Sequence, residues 1–285
     1  MDATNIFTVT PMNQRISLKP GETYEGYIVV SNPADAAEDF SYKVTVSPYG
    51  VSGTDYRVDL VNNSAFTQVT KWVTLENSTG KLAPNETAHV DFKITVPEDA
   101  PVGGQYAALM VGFDGKNDEG SGVAIRNKFQ MASLLFVNIE GELDHQGEIV
   151  ENSVPGFVTE LPVKTHITLK NDGNTHEVAK IALEVRSFFS PAIIYPEAGD
   201  DSVLEEVIMP STTRELTQEI GNISPLGVYE VTQTVIYMDS TASVMKQVVV
   251  SCPIWFMVLI AATIAVIAGT VIGIIKHNKK KRVVF

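Results

Sequence analysis

The sequence predicts an all-β fold, with two Ig-like β-sandwich domains in tandem followed by a single C-terminal transmembrane helix. Three observations predict it. Short segments alternate apolar and polar residues between turn formers, one order of motifs is met twice, and one uncharged apolar run stands near the C-terminus.

The alternation is clearest in AHVDFKITV (88–96), where Val90, Phe92, Ile94 and Val96 fall on one face and His89, Asp91, Lys93 and Thr95 on the other. A period of two marks a strand with one face buried and the other wet. YEGYIVVSN (24–32), FSYKVTVSP (40–48) and QYAALMVGF (105–113) are equally rich in β-branched and aromatic residues. LPVKTHITLKN (161–171), KIALEVRSFF (180–189), GVYEVTQTVIYM (227–238) and SVMKQVVVS (243–251) continue the series. Such composition suits a pleated, half-buried surface.

The repeat divides these strands. An apolar strand ends at Asn32-Pro33 and again at Asn171-Asp172. Pro84 and Thr87 open one alternating strand, Pro210 and Thr213 another, and PVGGQY (101–106) and PLGVY (225–229) each lead into an apolar one. The first copy has the longer middle, from Tyr49 to Asn77. The expected organisation is a first sandwich over 1–141, a second over 142–252, a membrane helix over 253–275 and a basic tail over 276–285, with the boundary in the acidic, turn-rich stretch Gly141–Pro155. Tyr106 and Tyr229 stand either at tyrosine corners, where the hydroxyl ties down a crossover between sheets, or as ordinary half-buried strand residues.

From Ile254 to Ile275 the chain has 22 residues and no charge. As a helix this run reaches roughly 33 Å, enough to cross a bilayer core, and a lone apolar run in lipid must be helical to satisfy its backbone. Lys276, Lys279, Lys280, Lys281 and Arg282 follow it, so the C-terminus is expected in the cytoplasm and residues 1–252 outside. With five of the 21 basic residues in that tail, the other 16 face all 34 acidic residues, a net −18 before the helix. Such a domain repels phosphates, which argues against a nucleic-acid partner. Ala261, Ala265, Gly269 and Gly273 recur every fourth residue along the helix, a small-residue stripe that allows close helix packing and so a homodimer through the membrane. A single cysteine, Cys252, makes an intramolecular disulfide impossible. The chain opens MDATNIFTVTP without a basic or an apolar leader region, so export implies a signal peptide outside this sequence.

Motifs that carry chemistry are sparse. His89, His145, His166, His176 and His277 stand singly, without metal-ligand spacing, and there is no nucleophile elbow, P-loop or dinucleotide fingerprint. DGKNDEG (114–120) is rich in oxygens but lacks the alternation of a calcium loop and suits a hairpin tip. The sequence therefore predicts no enzyme, cofactor or metal. Tyr49, Tyr56, Phe66 and Trp72 fall in the longer middle of the first copy, where they either bind a ligand from loops or pack into the sandwich.

FTVTPMNQ (7–14), LKPG (18–21), VVSNP (29–33), VPEDAPVGGQY (96–106) and GVAIRNKF (122–129) follow one another in the order found in the N-terminal domain of the WxL-interacting proteins. Over roughly residues 4–140 the chain resembles that family of surface proteins from Gram-positive bacteria. The resemblance implies a first domain that binds peptidoglycan, a second β-domain, one membrane helix and a basic tail; residues 141–250 show no matching motif. The sequence thus leads to a membrane-anchored cell-surface binding or scaffold protein engaging a cell-wall polymer or a surface protein, and membrane lipid through Ile254–Ile275. The alternatives are an exported Ig-like assembly chaperone, with Arg126 and Lys128 as its basic anchor, or an accessory subunit of a membrane complex.

Overall fold

The first apolar segment does not run as one strand. In the computed structural model, which describes residues 7–61, 64–114, 128–189, 193–195, 203–238 and 241–282, β1 (Thr8–Thr10) pairs antiparallel with β3 (Thr23–Ser31), Val9 opposite Val30. After Pro11 the chain crosses over, and β2 (Asn13–Leu18) runs parallel to β11 (Lys128–Ile139), Arg15 opposite Phe136. Proline cannot donate to a ladder, so the break falls where a strand changes partners.

The other strands of this copy are β4 (Phe40–Pro48), β5 (Gly50–Ser52), β6 (Arg57–Asp59), β7 (Val73–Leu75), β8 (Thr79–Leu82), β9 (Thr87–Thr95) and β10 (Gly103–Asp114). One sheet runs β1-β3-β9-β7 and the other β2-β11-β10-β4-β8, with β5 and β6 as a separate hairpin. Ile28, Val90, Phe92 and Ile94 from the first sheet meet Val44, Leu109, Leu135 and Val137 from the second, all buried in one core. The alternation of residues 88–96 is thus the inner and outer face of β9.

The second copy holds β12 (Gly147–Ser153), β13 (Phe157–Val158), β14 (Val163–Asn171), β15 (Glu177–Ser187), β16 (Ile193–Tyr195), β17 (Val203–Ile208), β18 (Thr212–Ile220), β19 (Gly227–Tyr237) and β20 (Thr241–Ser251). Its sheets run β12-β14-β18 and β13-β20-β19-β15-β16, with β17 on β15. The same crossing recurs. β12 and β13 lie in different sheets on either side of Pro155, and β13 runs parallel to β20. The fold is an all-β tandem of Ig-like sandwiches, followed by one apolar helix, α1 (Ile254–Arg282).

By contacts the chain divides into two compact units. The first comprises residues 1–148 with 170–177 and 207–214; the second comprises 149–169, 178–206 and 215–285. The segments 170–177 and 207–214, which the sequence assigns to the second sandwich, group with the first unit.

The repeated motifs are repeated hydrogen bonds. Asn32 is buried, and its side-chain amide donates to the carbonyls of Glu38 (3.1 Å) and Leu82 (3.2 Å). Asn171 is fully buried and donates to Thr175 (2.8 Å) and Ile208 (3.0 Å), while its Oδ1 accepts from the Gly173 N–H at 2.9 Å. Leu82 and Ile208 each stand two residues before the turn proline. Next come Asn85 at φ +67° and Ser211 at φ +57°, the left-handed residue that a proline-led type II turn requires.

Tyr229 makes the expected corner, its hydroxyl donating to the Ser224 carbonyl at 2.9 Å. The ring lies over Gly227, where a Cβ would sit 2.5 Å from the hydroxyl oxygen. Tyr106 lies over Gly104 in the same way, but its hydroxyl accepts the His176 backbone N–H at 2.8 Å. Of the two readings open for Tyr106, neither describes it fully: the hydroxyl ties to the segment 170–177, which packs in the same unit.

Losing these ties should show directly in stability. Gly227→Ala, which drives a methyl into the Tyr229 hydroxyl, should cost roughly 1–3 kcal/mol. Asn171→Ala, which strands two buried carbonyls, should cost about 2 kcal/mol or more. Both are read from urea unfolding of the full chain in detergent, against Thr217→Ala as a surface reference.

Candidate functional site

Three of the four aromatics in the insert are gathered by one buried cluster. Tyr106, Phe136 and Met209 form its centre, with Tyr49, Tyr56 and Phe66 partly buried around it. Phe136 meets Tyr106 and Tyr49 edge-on at 5.6 and 5.9 Å, and the His176 ring at 5.2 Å. Edge-to-face pairs of this kind match the rings' positive edges to their negative faces. Phe66 is delivered by a 3-10 helix, Ala65–Lys71, capped by Ser64. Buried Gln105 on β10 pins that helix, donating to the Ala65 carbonyl and accepting from the Gln68 N–H, each at 2.9 Å.

Tyr56 works hardest. It holds φ +56°, its hydroxyl accepts the Met209 N–H at 2.9 Å and hydrogen-bonds Thr212, and the Arg214 guanidinium lies 4.5 Å from its ring centre. Trp72 sits elsewhere, packed against the main sandwich core, with its carbonyl accepting from the Thr95 N–H at 3.0 Å. The insert's rings are therefore divided between two packed clusters rather than set on one loop surface. Burial pushes the phenols of Tyr49, Tyr56 and Tyr106 above their ordinary range, and burial followed by the nearby charge of Arg15 holds His176 down to about 4.

An aromatic surface does exist, on the wet face of a sheet. On the outer face of β3 and β9, Tyr27 is 51% exposed, its ring 5.0 Å from that of His89. The Lys93 ammonium pairs with Glu25 at 3.0 Å, and Asp91 stands opposite Tyr27 in the ladder. Glu25, Tyr27, Glu76, Asp91 and Lys93 line a shallow cleft of about 410 Å³. The signal was present in the wet side of the alternation, which already placed His89, Asp91 and Lys93 together.

Helix α1 holds the segment Ile254–Lys276, long and apolar enough to cross a membrane and not buried among the described residues. Ala261, Ala265, Gly269 and Gly273 lie along it, and nothing stands within 4 Å of a Cβ built at either glycine. Cys252 is partly buried and its N–H donates to the Val158 carbonyl. The oxygen-rich stretch beyond Asp114 and Arg126 lie outside the described residues; Lys128 opens β11.

No protein-family model matches the chain, and no curated protein matches it. Among solved structures, a chaperone–tip adhesin complex of CFA/I fimbriae biogenesis is similar at 12% identity and TM-score 0.42, over 85% of this chain and 98% of that one. The CsuC–CsuE chaperone–tip subunit complex of Acinetobacter baumannii Csu pili gives 13% identity and 0.39, over 85% and 98%. A Porphyromonas gingivalis W83 protein gives 15% and 0.32, over 86% and 99%. Likeness at this level carries nothing about a ligand or a partner.

His176 predicts a pH dependence. Its folded pKa lies below the ordinary 6.5, so between about 6.5 and about 4 the unfolded chain takes up a proton that the folded chain refuses. Stability should fall as pH drops through that window, by at most about 1.4 kcal/mol per unit, and this contribution should level off below it. His176→Gln should remove that slope, as measured by urea unfolding between pH 7 and 4.

Proposed function

We propose that the chain is a membrane-anchored cell-surface binding protein, its β-sandwich units outside the cell and its C-terminus in the cytoplasm. The observation that carries this is α1, a helix with 23 residues of apolar span and none of that span buried. In water that surface would aggregate; in a bilayer it is an anchor. The basic residues that follow it at once support the orientation.

For the ligand, a cell-wall polymer is supported by the face of β3 and β9. An exposed tyrosine offers a stacking surface, and neighbouring carboxylates accept hydrogen bonds from sugar hydroxyls. This agrees with what the resemblance to the WxL-interacting proteins implies for the first domain. The full chain in detergent should co-sediment with insoluble Gram-positive peptidoglycan, and Tyr27→Ala should reduce the bound fraction about tenfold while the fold survives. Equal sedimentation of the variant would remove Tyr27 from the site, and no sedimentation of the native chain would remove the polymer.

A second reading, an assembly chaperone, is favoured by one edge. β2 covers β11 only from Leu134 to Ile139, so among the described residues Lys128–Ser133 pair with β10 alone. An uncovered edge of that kind accepts an added strand. Capture of secreted subunits, with no retention on cell wall, would favour it.

A further inference from the structure

The strand that leads into the helix ends among exposed apolar side chains. β20 ends at Ser251 and α1 begins at Ile254, so only Cys252 and Pro253 link them. The three steps from Ser251 to Ile254 span at most roughly 10 Å, which keeps that end of the sandwich close to wherever the helix begins. Two other segments are tied to the same point. Phe157 and Val158 stand opposite Val250 and Ser251, and the Val158 carbonyl accepts the Cys252 N–H at 2.9 Å. On the other side Gly227 stands opposite Ser251, whose hydroxyl donates to the Pro225 carbonyl at 2.9 Å.

What these ties hold in place is apolar and open. Phe157 is 51% exposed, Leu226 44%, Val250 36% and Trp255, on the first turn of the helix, 64%. The 155–164 segment also forms a cleft of about 570 Å³, with Phe157, Val158, Leu161 and Pro162 on its walls beside Glu160 and Lys164. Single exposed apolar residues need no explanation, but a set held by hydrogen bonds at the strand end that leads into a membrane helix does. Tryptophan and its apolar neighbours settle at the boundary between headgroups and acyl chains.

We propose that the helix-bearing end of the second sandwich is itself a lipid-binding surface, with Phe157 and Leu226 seated in the outer interface of the same bilayer that α1 crosses. The occupant is phospholipid, because the interface continues the helix that enters it and the link leaves no spacer. The consequence is orientation: three segments, rather than one tether, fix the second unit against the membrane. The inference rests on the anchored reading of α1.

The test is depth measurement on the full chain in phosphatidylcholine vesicles. In a Cys252→Ser background, single cysteines replace Phe157, Leu226, Trp255 or Val244 and carry an environment-sensitive dye, with nitroxide lipids as quenchers. Val244 is on the same face of β20 as Val250, six residues or roughly 20 Å along the strand. The dye at positions 157 and 226 should lose most of its emission, as at 255, while position 244 stays bright; far-ultraviolet circular dichroism checks that each variant is folded. Quenching at 255 with 157 and 226 as bright as 244 would overturn the lipid-binding surface and leave the anchor standing. No quenching at 255 would overturn both.

Discussion

An uncharged helix that covers none of its surface against the rest of the chain has no favourable place in water. The run Ile254–Ile275 of α1 is such a helix, and the architecture before it can be understood from that constraint. The acidic residues all precede it, the cations of the tail follow it at once, and the final strand runs to within two residues of its start. On the anchored, outward-facing reading proposed above, the loops and outer faces of the β-sandwiches are free to meet a ligand, while the anchor holds them at high local concentration.

The sandwiches themselves are closed without disulfides, and polar side chains on carbonyls do the fastening. Asn32 and Asn171 hold equivalent turns in the two copies. In the second unit Gln233, fully buried, accepts from Thr165 and donates to Asn152 at 2.8 Å, and Asn152 in turn donates to Ser243. This line crosses from β14 and β12 to β19 and β20. A network anchored on the buried Thr165 and Gln233 fixes one register, because a slipped strand would leave those two groups unpaired in low dielectric.

Much of this was legible in the sequence because it is periodic or local. Alternation marked β9, β14 and β19, the helix announced itself by length and lack of charge, and the recurring Asn, Pro and Gly–Tyr positions marked the repeat before the hydrogen bonds explained it. The rest depended on partners distant in the chain. Nothing near Tyr106 says that its hydroxyl will meet His176, 70 residues on. Tyr49, Tyr56 and Phe66 have the composition of a binding loop, yet Phe136 and Met209 draw them inward, and Trp72 goes to a different core. The exposed Tyr27 was hidden by the strength of its own strand, whose apolar pattern drew attention to the buried side.

The most direct test of an anchored, outward-facing protein is protease treatment of intact cells carrying an epitope tag after Phe285. The account predicts that the β-sandwich units are digested while a fragment of the size of α1 plus the tag stays with the membrane, protected until the cells are permeabilised. Protection of the whole chain in intact cells, or loss of the tag along with the sandwiches, would contradict it.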